Sequence, residues 1–118
     1  MLNGFKNPGR VALIGAQSEI GQAIISQLPS NPNREVLLVG RTGEYGMDVT
    51  EKAARIKVVK QIFDQADLDL AIIAVGLLGD DPTKSEAENL LTAMDVNYVS
   101  TVHLIALMAE RMKQQAHG

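Results

Sequence analysis

The residues with the clearest chemical meaning are glycines rather than nucleophiles. Gly15 and Gly21 bracket a short turn between an apolar run, Arg10–Ile14, and a stretch of apolar residues at helical spacing. A strand that passes through such a turn into a helix aims backbone N–H groups and the positive helix end at one point. That arrangement suits a pyrophosphate. Gly15 permits the tight turn, and Gly21 lets the helix and a ligand approach closely. Ser18 is placed to cap the helix, and Glu19 falls in its first turn, where the dipole favours an acid. The candidate phosphate-binding residues are therefore Gly15, Gln17, Ser18, Glu19, Ile20 and Gly21. A dinucleotide fingerprint carries a third glycine, and Glu19 stands in its place, so the turn alone also fits a plain strand–helix junction.

Other candidates lie further along. Arg41 and Thr42 directly follow a second apolar run, Glu35–Val39, where a guanidinium and a hydroxyl can pair with a phosphate. A solvated loop charge is the plainer reading of Arg41. Asp48, Val49 and Thr50 form a polar step before a helical stretch. Asn97 interrupts the apolar face of a long helix, either as a buried amide that satisfies a backbone group or as a site residue. His103 has Val99 and Leu107 at ligand spacing, so it reads as a core-edge or interface residue. Asp80 and Asp81 are sequence neighbours and cannot face one substrate across a cleft as an acid/base pair. Met94, Met108 and Met112 read as packing.

Around these residues the chain alternates short apolar runs with helical stretches. Strands are expected at Arg10–Gly15, Glu35–Val39 and Leu68–Val75, with a stub at Tyr45–Val49. Helices are expected over Glu19–Leu28, Glu51–Ala66 and Ser85–Gln115, the second with Ala54, Val58, Ile62 and Phe63 or Ala66 inward. Strands apolar along their whole length imply a parallel sheet covered on both faces. The fold class is thus α/β, a three-layer, Rossmann-like, partial doubly wound sheet. Its expected strand order is 3-2-1-4, cut before a fifth strand.

Composition excludes several roles. With 118 residues the chain is one small domain. Hydrophobic residues at 46% and charged residues at 21% describe a globular core rather than disorder. A net charge of −3 and scattered basic residues give no footprint for nucleic acid. Disulfides and thiolate metal sites are excluded by the lack of cysteine. No single apolar run reaches membrane-spanning length, and Met1–Arg10 lacks a signal-peptide core, so a cytoplasmic protein without membrane contact is expected.

The motifs, in order, resemble the short-chain dehydrogenase/reductase family. Ile14–Gly21 resembles its Thr-Gly-x-x-x-Gly-x-Gly turn, and Gly40–Arg41 stands where the family reads the adenosine ribose. Asp48–Thr50 resembles its Asp-Val-Thr, whose Asp bonds the adenine amino group. Asp69–Gly76 resembles Asp-Val-Leu-Val-Asn-Asn-Ala-Gly, and Asp95–Asn97 resembles the Asp-Val-Asn of the long fourth helix. Two departures stand out. Ile73–Gly76 keeps only the glycine of the Asn-Asn-Ala-Gly element. Between Arg41 and Asp48 a short loop replaces a helix and a strand, as in a compact branch of the family.

The resemblance implies NAD(P) binding by Gly15, Gln17, Ser18, Glu19, Ile20, Gly21, Arg41, Thr42, Asp48, Val49, Ala74, Val75 and Gly76. It implies NADP over NAD, because no acid ends the second strand and Arg41 follows it. It implies a catalytic role for Asn97 in an Asn-Ser-Tyr-Lys set acting on a carbonyl or alcohol substrate. The remaining members cannot be assigned: position 49 after Tyr45 is Val49, and position 102 after Tyr98 is Val102, not Lys. The chain is therefore expected to be an inactive fragment of a longer enzyme. The alternative is a non-catalytic dinucleotide-binding sensor or scaffold. A homo-oligomer is expected, through the excess apolar surface of the long helix and the open edge of the fourth strand.

Overall fold

A computed structural model describes residues 6–77 and 81–118; Asp80, with the two residues before it, lies outside them. The centre of the fold is β1 (Arg10–Ile14), whose five residues are all buried. It pairs in parallel with β2 (Glu35–Val39), from Arg10↔Glu35 to Ile14↔Val39. On its other side it pairs in parallel with β3 (Leu70–Ile73), from Val11↔Leu70 to Ile14↔Ile73. A central parallel strand is covered on both faces, which is why its sequence is apolar without alternation.

The helices that cover it follow from the sequence. α1 (Glu19–Ser26) is capped by Ser18 and lays Ile25, with the nearby Leu28, over Val11, Leu13 and Ile72. α2 (Lys52–Gln65) covers the opposite face, where Val58, Val59 and Ile62 pack with Ala12, Ile14, Leu37 and Val39. Ala54 and Phe63 pack at the edge of that cluster, as the periodicity predicts, whereas Ala66 is exposed. At the foot of β1 the buried Arg10 donates to the Ile62 and Ala66 carbonyls at 2.7 and 2.6 Å. It thereby satisfies acceptors that the end of α2 leaves open.

The expected third strand does not form, and the order is β2-β1-β3 rather than 3-2-1-4. Tyr45 and Met47 are buried as a strand would bury them, but only one rung reaches β2, from Met47 N to Gly40 O at 2.8 Å. Turn chemistry stops a second. Gly43 takes φ +97° and Gly46 N donates back to Gly43 O. Asp48 Oδ1 then accepts the Thr50 N–H at 3.0 Å, turning the chain away toward α2.

The long helix is present, opened by a capping box between Ser85 and Glu88, but it is not uniform. α3 (Glu86–Met94) and α4 (Ser100–Gln115) are joined by a π-helical turn at Asp95–Val99. Taken together, Glu86–Gln115 is long and apolar enough to cross a membrane by length and composition, with a window of mean hydropathy 1.3. The helix reaches that length although no uninterrupted apolar run within it does. Part of the apolarity is core: Ser100, Leu104 and Met108 are buried. The rest is an exposed stripe through Leu90, Met94, Tyr98, Val102 and Ile105. His117, near the end of the long helix, bridges Asp67 at 2.9 Å and Asp69 at 3.5 Å. Beside it, Gln115 donates to the Leu68 carbonyl at 2.6 Å and accepts the Leu68 N–H at 3.1 Å.

Candidate functional site

All three strands point their carboxyl ends at one cleft of about 740 Å³. In open parallel sheets this end, beside the central strand, is where ligands bind. The glycine turn forms its floor. Gly15 sits at φ +102°, and a Cβ there would lie 2.5 Å from the Ala74 carbonyl oxygen. No other residue meets both constraints. Gly21 is buried against Leu13 and Ala74, so it serves helix–sheet packing rather than the wall of the cleft.

The backbone bonds of the turn show what is left for a ligand. Gly15 N and Ala16 N both donate to the Val39 carbonyl, at 2.9 and 3.0 Å, and Ser18 N donates to Gly15 O. Ser18 Oγ accepts the Gly21 N–H at 3.1 Å. Among the described residues, the N–H groups of Gln17, Glu19 and Ile20 are left without a protein partner. Glu19 and Ile20 open the first turn of α1 and Gln17 just precedes its cap, where the helix dipole favours an anion. Gln17, Ser18 and Ile20 line the cleft, whereas Glu19 does not. Its carboxylate therefore does not line the ligand space, which removes the conflict of an acid standing where a glycine is usual.

Opposite the turn, Ala74, Val75 and Gly76 form an apolar wall, joined by Val96 from the π turn. At the other end Arg41 and Val49 line the cleft and, with Asp48 and Thr50, an adjoining recess of about 390 Å³. Thr42 is exposed beside it and lines neither. Asp48 Oδ1 accepts the Thr50 hydroxyl at 2.7 Å and the Thr50 N–H at 3.0 Å. These two bonds, with a smaller contribution from Arg41, hold its carboxyl below the ordinary value of 3.8. Asp48 is thus an ionised acceptor at neutral pH, its second oxygen without a partner among the described residues.

Asn97 stands at the rim. Its Oδ1 accepts the Leu77 N–H and its Nδ2 donates to the Leu77 carbonyl, both at 2.7 Å. The side chain is exposed, so it is a backbone clamp without being a buried amide. Beneath it lies a group that helical periodicity does not flag. Arg55 is buried on α2, donating to the Val49 carbonyl at 2.7 Å and to His103 Nδ1 at 2.8 Å. Burial first, and then the positive charges of Arg55 and Lys52, push His103 below its ordinary value of 6.5, with Glu110 opposing.

No protein-family model matches the chain. Solved structures do. The structure of ElxO with NADP bound superposes with a TM-score of 0.76 over 92% of this chain and 52% of its own, at 18% identity. A short-chain dehydrogenase from Burkholderia cenocepacia in complex with NADP gives 0.72 over 92% of this chain and 49% of its own, at 18% identity. The fold is that of short-chain dehydrogenase/reductases. A putative gluconate dehydrogenase from Agrobacterium tumefaciens gives 0.74 over 97% of this chain and 53% of its own, at 20% identity. The chain therefore spans about half the length of these structures. It shares their Rossmann-like α/β architecture over that span.

Proposed function

We propose that the chain binds NADP(H) and forms the cofactor-holding part of an NAD(P)-dependent short-chain oxidoreductase. The observation that carries this reading is one cleft with two unpartnered N–H groups, those of Gln17 and Ile20, at one end and Arg41 at the other. Such N–H groups suit a pyrophosphate, and Arg41 suits a 2′-phosphate. The second oxygen of Asp48 suits the adenine amino group, and Ala74, Val75 and Gly76 offer a flat apolar wall. Arg41, with no acid at the end of β2, favours NADP over NAD. When bound, the nicotinamide supplies hydride chemistry toward a carbonyl or alcohol. The chain's own part is to orient the cofactor, exclude water and, through Asn97, hold the Leu77 backbone at the rim.

Calorimetric titration tests this directly. NADP⁺ should bind more tightly than NAD⁺, and Arg41→Ala should erase the difference while leaving NAD⁺ binding in place. Equal affinities in the wild type would sink the NADP assignment.

A second reading, a sensor or scaffold that binds a dinucleotide without turnover, has one specific support. Neither tyrosine has a lysine four residues on, and Tyr45 is buried with its hydroxyl on Gln65. A sensor should bind NADP(H) tightly as the chain stands, whereas part of an enzyme should bind it feebly. A cytoplasmic location fits either reading. Self-association through the exposed stripe of the long helix belongs to the same proposal, and sedimentation at rising concentration tests it. A profile that stays monomeric would remove it.

A further inference from the structure

Arg55 is 5% exposed, and none of its side-chain partners among the described residues is a carboxylate. A buried cation held only by neutral acceptors is costly, so each acceptor matters. Nη1 donates to the Val49 carbonyl at 2.7 Å, on the loop that presents Asp48. The same nitrogen reaches Ser100 Oγ at 3.5 Å. Ser100, fully buried, donates to the Asp95 carbonyl at 2.5 Å and closes the π turn that carries Val96 and Asn97. Nε donates to His103 Nδ1 at 2.8 Å. One guanidinium thus ties the Arg41–Thr50 side of the cleft to the Asn97 side from below.

We propose that Arg55 is a positioning residue for the Arg41–Thr50 side and the Asn97 side of the cleft, and that it holds them only while His103 is neutral. The inference rests on the dinucleotide reading above for what the cleft holds, but not for the coupling itself. Because Nδ1 accepts from Arg55, the neutral ring carries its proton on Nε2. A second proton must go onto Nδ1, where it would confront the Nε–H of Arg55 and place two cations in contact. Around the ring, α2 presents Arg55 and Lys52 and α4 itself presents Glu110. The balance is cationic, so a protonated His103 drives the guanidinium off its seat. Val49 and Ser100 then lose their common donor.

The experiment compares NADP⁺ affinity of the full chain at about pH 8 and about pH 5.5 in the wild type, His103→Gln and Arg55→Lys. A glutamine keeps an acceptor for Arg55 but does not titrate. The 2′-phosphate titrates near pH 6 in every variant, so the informative quantity is the excess loss in the wild type. It should be measurable but below about tenfold beyond that of His103→Gln, because a ring held below 6.5 is not fully protonated at about pH 5.5. Arg55→Lys, with one point charge for several acceptors, should bind about tenfold more weakly at both pH values, without the excess. Equal pH dependence in the wild type and His103→Gln overturns the proposal.

A second measurement needs no variant. Protection of the Leu77 amide from hydrogen exchange, corrected for intrinsic rates, should fall as the His103 ring protonates. Protection that holds while His103 titrates overturns the coupling. If the folded wild type fails to bind NADP⁺ at about pH 8, the dinucleotide reading falls, and Leu77 protection still decides this one.

Discussion

The two ends of the cleft are made of different material. At the glycine turn the binding groups are backbone N–H groups, fixed by Gly15 at φ +102° against Ala74 and by the Val39 carbonyl beneath. At the other end they are exposed side chains, Arg41 and Asp48, on a loop tied down by a Met47–Gly40 hydrogen bond, the Tyr45 hydroxyl and Arg55. The first end cannot change without disturbing the core around Leu13. The second can change its charge without touching a buried atom. Affinity for a phosphate and choice between phosphates are thereby separated, one written into the fold and the other into its surface.

Substitutions can break that contrast. The largest effect should come from Gly15→Val, which forces a branched side chain into a positive φ and onto Ala74. Denaturant unfolding should show a loss of about 3 kcal/mol or more, with cofactor binding abolished. A variant as stable as the wild type would mean that the turn end is no more constrained than the loop. At the loop end, Arg41→Ala should weaken NADP⁺ binding by about 1.5–3 kcal/mol, the value of hydrogen bonds to a charged group, with the melting temperature unmoved. Ser18→Ala lies between the two kinds. It removes the cap bond to Gly21 and should cost about 1 kcal/mol of stability, read by thermal melts.

The smallest effect sharpens the contrast by pH. His103 is held below its ordinary 6.5 in the folded state, so the unfolded chain binds the extra proton more readily. The stability contributed by keeping His103 neutral is present above 6.5 and is lost as pH falls through the lower folded value. The exposed carboxylates Asp48, Asp64 and Asp81, also lowered, act only below their ordinary 3.8, so the two windows are distinct. His103→Gln should flatten the upper window alone; melts that still fall there would assign it to another group.

Much of this architecture was legible in the residues. β1 and β3 are apolar runs because a covered parallel strand needs nothing else, and the helix limits follow from Ser18 and the Ser85–Glu88 box. The glycine turn and the Asp48 step were legible because each depends on neighbours in sequence. The third strand misled because Tyr45 and Met47 bury like strand residues, while Gly43 and the Asp48–Thr50 turn decide the backbone. Arg55 was illegible for a different reason. On a helical wheel it is one more charge, and its partners Ser100 and His103 lie 45 and 48 residues away. The π turn is hidden likewise: Ser100 reaches the Asp95 carbonyl five residues back with both its N–H and its hydroxyl, a pairing that no periodicity marks.

The long helix touches the Leu68–Leu77 segment through two amides, Gln115 at one end and Asn97 at the other, each using both its donor and its acceptor on one backbone unit. They act as the two pegs of a stretched string. β3 is an edge of this sheet, held extended by β1 on its inner side and tied by those pegs at the two flanks. Any strand arriving there meets a template already straightened and in register. The ordering entropy of about 1–2 kcal/mol per residue then falls on the newcomer alone.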